Sequence, residues 1–393
     1  MNFEIPEELK RLRESARRFV DEELMPLEAE HADAHDIPDD LRARLQARAK
    51  ELGFWAFDLP EAYGGGGVGA LGMCLVFEEL AQCNVPAFRA PSVFTPFLGP
   101  VLFHGNAAQK EKYLMPVIRG DKRTCFALTE NSGGSDPTSM ATRAVLDGDY
   151  WVINGTKIFI THADKADFVQ VFVRTGDGEE AKGRRGITCF LIDKGTPGMR
   201  LGQNFRLMSP DRPWELIFEN VRVPSTQIVG EVGRGWDLAR EFLGMGRLIH
   251  GPKSIGRATR ALKLAIDWAN QRKTFGAPIA SRQAIQWMIA DSQVELHTAR
   301  LLTYHAAWKA DQGQPYHAEA AMVKLHCDEM FMRVVDRAIQ IHGGMGLSKD
   351  FPLEVMFRDA RSRLITEGSS EMQRMIIAGD RLAGKSSIDR FAD

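Results

Sequence analysis

The apolar residues of this 393-residue chain change their spacing twice. They recur every three or four positions through residues 1–122, every second position through 123–233, and every three or four again from 234 to 393. An amphipathic helix needs a period near 3.6 and a half-buried strand a period of two. One segment cannot serve both. The order therefore predicts an α+β multidomain protein with an N-terminal α-helical domain, a middle antiparallel β-barrel or sandwich, and a C-terminal four-helix bundle.

In the first region Leu9, Leu12, Ala16, Phe19 and Val20 share one face of a charge-rich helix over 7–27, and residues 39–52 repeat the pattern. Gly64 to Gly67 must form a loop, because four glycines cost a helix or strand too much backbone entropy. Another apolar helix is expected from Gly69 to Cys83. In the middle region short β-type runs (124–128, 150–153, 157–160, 168–173, 187–192 and 214–218) are punctuated by Asp147-Gly148 and Asn154-Gly155, both hairpin signals. In the last region stripes over 258–269, 285–306 and 320–341, with a segment over 369–382, give four helices with wide apolar faces, the pattern of an antiparallel bundle.

Composition excludes several classes. With 50 Lys+Arg against 52 Asp+Glu the net charge is −2, so the basic excess of a nucleic-acid binder or a polybasic membrane anchor is missing. Cys74, Cys83, Cys125, Cys189 and Cys327 are scattered without a C-x-x-C pair, which reads as reduced thiols rather than a disulfide framework or zinc site. His31 and His35 have metal-compatible i,i+4 spacing but no third ligand nearby, and read as a solvated helix face; no metal is expected. The acidic start resembles neither a signal nor a transit sequence, and no run approaches the ~20 apolar residues of a membrane span. A soluble cytoplasmic protein is expected.

Four segments invite a chemical reading. Phe126 to Asp136 ends a strand in a loop of glycines and hydroxyls, suited to a phosphate or a heterocycle edge, though each residue is also an ordinary turn former. Arg272 to Gly276 closes a helix with cations and a glycine, as capping alone would explain. Gln340 to Gly346 carries three glycines within four positions, more than capping needs. Glu367, in Thr366-Glu367-Gly368-Ser369, is either a carboxylate favoured by the dipole of the helix it precedes or a general base with its pKa raised by apolar walls.

Together these segments resemble the acyl-CoA dehydrogenase family of flavoenzymes, over nearly the whole chain and in the family's order. Phe126-Ala127-Leu128-Thr129-Glu130 to Asp136 resembles F-A-L-T-E-P-x-A-G-S-D, and Trp151 to Thr161 resembles W-x-[LI]-N-G-x-K-x-W-I-T. Phe218 to Pro224 with Gly230 to Trp236 resembles F-x-x-V-x-V-P…G-x-x-G-x-G-[FW]. Arg272 to Gly276 resembles R-x-x-F-G, Gln340 to Gly344 Q-[IV]-x-G-G, and Thr366 to Ser369 Y-E-G-[TS].

The resemblance implies FAD between the β domain and the bundle. Phe126, Leu128, Thr129, Gly134 and Ser135 would line it, and Phe159, Ile160 and Thr161 would flank the isoalloxazine. Arg272, Thr274, Phe275, Gln283, Gln340, Ile341, Gly343 and Gly344 would reach the FAD of a neighbouring subunit, so a homodimer or homotetramer is expected. Ser369 and Glu371 complete the implied cofactor set. The implied reaction is α,β-dehydrogenation of an acyl-CoA to the trans-2-enoyl-CoA, a step of fatty-acid β-oxidation. Glu367 would take the α-proton, its backbone N–H and a ribityl hydroxyl would bind the thioester carbonyl, and hydride would pass to flavin N5. Ser135, Arg247 and Gly368 would meet the substrate, and electron-transfer flavoprotein would accept the electrons.

Some members carry the glutamate just before the position of Arg247, where this chain has Gly246. Phe159 stands for the family's tryptophan, Thr366 for Tyr or Phe, and Gly244 for an acid that touches CoA. The prolines at 86, 91, 96 and 100, in the segment 85–103 that would shape the acyl pocket, suggest a broken wall and a bulky or branched acyl group. An oxidase or monooxygenase of the same fold, or a non-catalytic acyl-CoA-binding relative, are the competing readings.

Overall fold

The computed structural model describes residues 4–86, 93–99, 101–176 and 183–384. Helix α1 (Glu7–Phe19) continues into a π-helical turn, Val20–Leu24, a 3₁₀ turn, Met25–Leu27, and α2 (Glu28–His31). Then come α3 (Asp39–Glu51), α4 (Gly69–Leu80), α5 (Ala107–Gln109) and α6 (Met115–Arg119). Phe19, on the apolar face of α1, meets Phe54 and Phe94 edge-on. The four-glycine loop is required by close approach: a Cβ on Gly65 or Gly66 would stand 2.2 Å from the Leu59 carbonyl oxygen or 2.8 Å from that of Phe57. His31 is buried and His35 stacks on His162, so the expected solvated face is corrected. No metal-binding cluster occurs among the described residues.

The middle region is one mostly antiparallel sheet: β1 (Thr124–Ala127), β2 (Arg143–Asp147), β3 (Tyr150–Ile160), β4 (Phe168–Thr175), β5 (Ile187–Asp193), β6 (Met199–Asn204), β7 (Trp214–Pro224) and β8 (Ile228–Val229). Spatial order is β6-β7-β3-β2-β4-β5-β8, with β1 also on β4. Two pairings depart from the antiparallel expectation, because β4 takes both β1 and β2 as parallel neighbours. The connection from β1 to β4 contains the whole β2–β3 hairpin, long enough for a crossover.

Asp147 pairs with Tyr150 across a two-residue turn, as its Asp-Gly dipeptide predicts. Asn154-Gly155 does not turn. β3 runs straight through it, with a register shift against β7. Gly155 has φ 144°, and a Cβ there would lie 2.5 Å from Thr142 Oγ1. The glycine serves a bulge and a close strand approach.

The last region holds α7 (Gly235–Gln271), a small hairpin of β9 (Lys273–Thr274) and β10 (Ala277–Pro278), α8 (Gln283–Asp311), α9 (His317–His342), α10 (Leu353–Arg363) and α11 (Ser370–Leu382). Helices α7, α8 and α9 pack around a core that includes Leu248, Ile255, Leu296, Val323, Phe331 and Val334, α10 adds Leu353, Met356 and Ala360 to it, and α11 lies against α9. α10 is an unforeseen fifth helix. Its buried residues are Leu353, Val355, Met356, Asp359, Ala360 and Arg363, so two charges interrupt a short apolar period. α4 docks on α7 at Gly256, where a Cβ would stand 2.1 Å from the Glu78 carbonyl oxygen. Buried Glu78 accepts from Arg300 Nε and Tyr304 Oη of α8, at 2.8 and 2.9 Å. All five cysteines are free and buried. Among the described residues no helix is long and apolar enough to cross a membrane.

Candidate active site

Glu367 lies in the loop joining α10 to α11, with its backbone in the left-handed region (φ 54°) ahead of Gly368 (φ 94°). That conformation is uncommon for a non-glycine residue and persists only where the surroundings impose it. Three bonds do so. Ser370 N–H donates to the Leu364 carbonyl at 3.1 Å, buried Gln373 Nε2 donates to the Gly368 carbonyl at 2.8 Å, and Ser369 Oγ caps α11 by accepting from Met372 N–H at 3.5 Å. The Ser369 hydroxyl therefore works as a cap, and Glu371 occupies the first turn of α11. A side chain at Gly368 is disfavoured by its φ of 94°, and a Cβ there would also meet Gln373 Nε2 at 2.8 Å.

The Glu367 carboxylate rests against α7. A Cβ on Gly246 would fall 2.2 Å from Oε2, so the bare backbone at 246 makes the seat in which this carboxylate sits. One residue on, Arg247 is buried, with Nε and Nη1 lacking any hydrogen-bond partner. Buried cationic donors without acceptors are costly, and here they suit an anionic or carbonyl-bearing ligand.

The expected elevation of the Glu367 pKa is corrected. Burial works against its charge, but His250, with Nε2 3.7 Å from Oε2, and then Lys253 and Lys324 outweigh burial and hold the carboxyl at about 2. The side chain is crowded by protein on the α7 side yet 40 % exposed, so the walls are neither wholly apolar nor dry. His250, Lys253 and Asp328 carried no sequence motif. The signal available was a charged pair, Lys324 and Asp328, interrupting the buried stripe of α9.

An open groove of ≈ 1030 Å³ runs along the N-terminal half of α7, lined by His104, Arg234, Asp237, Arg240, Glu241 and Gly244 together with Tyr316 and His317. Gly244 and Arg247 are neighbours at i,i+3 on one helix face, and the positive field of Arg247 helps depress the pKa of His317 after burial. The groove thus comes within one helical turn of Arg247.

The β-domain residues form a second group. Buried Lys157 Nζ lies 2.7 Å from Glu130 Oε1 and donates to the Leu128 carbonyl at 3.0 Å, while Glu130 accepts from the Ala141 and Thr142 N–H groups. Ile158 N–H donates to the Thr129 carbonyl at 2.9 Å. The 126–136 loop and the end of β3 are thereby locked together. Ser135, Gly134 and Thr161 are exposed. A Cβ on Gly134 would meet nothing. Phe159, at φ 57°, presents a half-exposed ring braced by Phe205 at 4.6 Å. Exposed hydroxyls, an open glycine and a presented aromatic face fit a flavin and its phosphates. Phe126 is half-buried and stacks on Phe242 at 3.9 Å, and Leu128 and Ile160 are buried in the core.

The third group gathers at the opposite end of the bundle. Trp268 stacks on His342 at 5.1 Å, joining the end of α7 to that of α9. Arg282 Nη2 donates to the Thr274 carbonyl at 2.9 Å, setting the hairpin beside Gln283. Arg272, Phe275, Gln283, Gln340, Gly343 and Gly344 are exposed, and Cβ atoms on Gly343 or Gly344 would meet nothing. Ile341 is buried in the core, and Gly346 is a packing glycine against the Ile339 carbonyl at 2.7 Å. Along α7, Arg272 is 25 residues from Arg247, about 37 Å at 1.5 Å per residue. One chain's third group therefore stands far from its own Glu367.

Three family models match consecutive stretches: "Acyl-CoA dehydrogenase, N-terminal domain" over residues 6–121, "middle domain" over 125–221 and "C-terminal domain" over 233–381. The chain is 38% identical to (R)-benzylsuccinyl-CoA dehydrogenase of Thauera aromatica, over 100% of this chain and 99% of that one. It is 38% identical to the mitochondrial short-chain specific acyl-CoA dehydrogenase of Bos taurus, over 97% and 92% of the two chains. The structure of butyryl-CoA dehydrogenase from Megasphaera elsdenii superposes with a TM-score of 0.86 at 33% identity, over 97% of this chain and 100% of that one. A glutamate seated on a bare helix backbone beside an unpartnered arginine thus occurs in a chain that belongs to the acyl-CoA dehydrogenases, FAD-dependent oxidoreductases of acyl-CoA thioesters.

Proposed function

We propose that this acyl-CoA dehydrogenase converts its substrate to the trans-2-enoyl-CoA with Glu367 as the base. The observation that carries the reading is the seat: a left-handed glutamate whose carboxylate is pressed onto Gly246. The α-proton of a thioester is weakly acidic, so its removal needs a base at a fixed position and donors toward the developing enolate oxygen. Glu367 is ionised in the free chain, the form that accepts a proton. Its own N–H has no acceptor among the described residues and is the donor the chain offers to the thioester carbonyl. Acyl-CoA lying over the carboxylate removes water from it, which raises its basicity at the moment it is used. Arg247 and Gly368 border that substrate, and the groove along α7 takes the CoA. Ser135, at the mouth of the 126–136 loop, lies on the cofactor side.

Bound FAD supplies the hydride acceptor. Thr129, Gly134, Ser135, Phe159 and Thr161 hold it from one chain. Arg272, Thr274, Phe275, Gln283, Gln340, Gly343 and Gly344 would hold it from a second, because about 37 Å of α7 separates Arg272 from Arg247 and the Glu367 seat within one chain. The exposed residues Trp287, Val294, Leu301 and Trp308 recur every seven positions on α8, a stripe suited to a helix of another copy. The protein works as a homo-oligomer, passes electrons to electron-transfer flavoprotein and serves fatty-acid β-oxidation in the cytoplasm.

The test is anaerobic bleaching of the flavin by a panel of straight, branched and aryl acyl-CoA thioesters. Wild type bleaches with at least one of them; Glu367→Gln keeps its yellow colour and loses bleaching. Unchanged bleaching in that variant would remove the assignment. Peroxide release in air would instead favour an oxidase, and no bleaching by any thioester a binding protein.

A further inference from the structure

Behind Glu367 lies a buried polar row. His250, on α7, faces two carboxylates: Nδ1 is 2.8 Å from Asp328 Oδ2 and Nε2 is 3.7 Å from Glu367 Oε2. Asp328, on α9, is 1% exposed. Its other oxygen accepts from Ser254 Oγ at 2.7 Å, and Lys324 Nζ donates to Oδ2 at 3.1 Å and to the Arg363 carbonyl at 2.8 Å. An ionised carboxylate can only accept. An imidazole between two of them satisfies both by carrying a proton on each nitrogen, as imidazolium.

We propose that His250, oriented by Asp328, is a positioning residue for the catalytic base, engaging Glu367 as an imidazolium that fixes its Oε2 against α7 and keeps the carboxylate ionised. The proposal rests on Glu367 being the base. At 3.7 Å the contact is an ion pair and not a hydrogen bond, so His250 supplies charge without occupying a lone pair. With Oε2 held between Gly246 and His250, Oε1 is the oxygen turned to the substrate. No atom is transferred to His250; the α-proton ends on Glu367.

Charges of both signs surround the pair. From α7 come Arg247, Lys253 and His250, from α9 Lys324 and Asp328, and from α10 Asp359 and Arg363. Burial disfavours the charge on both partners. Asp328 and Glu367 nevertheless raise His250, and His250, Lys253 and Lys324 lower Glu367. Asp328 has no part in substrate contact; its role is to hold the ring and its charge.

Wild type, His250→Gln, Asp328→Asn and Glu367→Gln holoenzymes would be compared between pH 5 and 9. The assay is the rate of anaerobic flavin reduction by whichever panel thioester bleaches wild type fastest. His250→Gln should lose at least tenfold in rate at pH 6 and recover to within threefold of wild type by pH 8, with KM changed less than threefold. Asp328→Asn should move the acid limb the same way by less. Histidine NMR titration gives a second readout independent of turnover: the His250 midpoint should fall in Glu367→Gln. An acid limb unmoved in folded, flavin-loaded His250→Gln, a loss equal at every pH, or a His250 midpoint indifferent to Glu367→Gln would overturn the proposal. A wild type that no thioester bleaches would instead defeat the functional reading, and the titration would still report on the pair.

Discussion

Gly246→Ala is the sharpest perturbation the geometry offers, because its effects on stability and on chemistry have opposite signs. The new methyl would be born 2.2 Å from Glu367 Oε2, and ordinary contact begins at 3.4 Å, so the carboxylate must retreat by about 1.2 Å. The retreat is cheap for the fold, since the obstructing atom is the end of a flexible side chain. The helix itself gains roughly 0.5–1 kcal/mol from exchanging an interior glycine for alanine. Catalysis has no such freedom: a misplacement near 1 Å costs on the order of 10²-fold in rate, about 2.7 kcal/mol of barrier. We expect a variant that melts at or above the wild-type temperature, keeps its flavin, and bleaches about a hundredfold more slowly in anaerobic stopped flow. A folded, flavin-loaded Gly246→Ala that bleaches at the wild-type rate would refute the seat. So would one whose activity falls only as its stability falls.

Further outcomes follow from other sites. Lys157→Met leaves the Glu130 carboxylate buried without its partner, which should cost about 3–5 kcal/mol and lower flavin occupancy, read from urea midpoints and the 450 nm band; an unchanged midpoint would show the pair to be dispensable. Val294→Asp with Leu301→Asp places charges on the exposed α8 stripe and should reduce both the mass by light scattering and the bound FAD, whereas unaltered mass would remove that face from the interface. Asp58, hydrogen-bonded by Thr95, has its carboxyl raised by burial to about 6. The fold thus favours the protonated form, and stability declines as pH rises from about 4, the unfolded value, through 6. Asp58→Asn should accordingly raise the melting temperature at pH 7.5 and leave it unchanged at pH 4. A gain confined to low pH would reverse that reasoning.

Legibility in the sequence tracked what was local. The period switch located helices and strands because each stripe buries one face, and Asp147-Gly148 announced its turn because two residues suffice to make it. Asn154-Gly155 carries the same signal yet lies inside β3, since the need for glycine there comes from Thr142 on the neighbouring strand. α10 stayed hidden because Asp359 and Arg363 interrupt its short apolar stripe; they satisfy each other at 2.8 Å and Arg257 lies 3.1 Å from Asp359, and buried polar groups are tolerated when paired. The site divides the same way. Glu367 and the glycine-rich loops are visible as local departures from bland composition, and Arg247 only through the family resemblance. His250 and Asp328 are 78 residues apart and mean nothing until α7 and α9 are laid side by side. The sign of the Glu367 pKa was lost for that reason: apolar neighbours in sequence predict elevation, and the cations come from other helices.

A carboxylate held at about 2 in the free chain is a weak base, and each unit of pKa is worth 1.36 kcal/mol between its two forms. The arrangement is consistent with catalysis only if the site changes when substrate enters. The Glu367 side chain is open on the side away from α7, so bulk water reaches it there and an acyl thioester would displace that water. Desolvation, already the largest single influence on this group, would then grow while the distances to His250 and Lys253 stay fixed, and the balance would move toward a stronger base. The cations on the α7 side guarantee that the carboxylate is ionised when substrate arrives, and substrate itself supplies the dryness that makes the ionised form reactive.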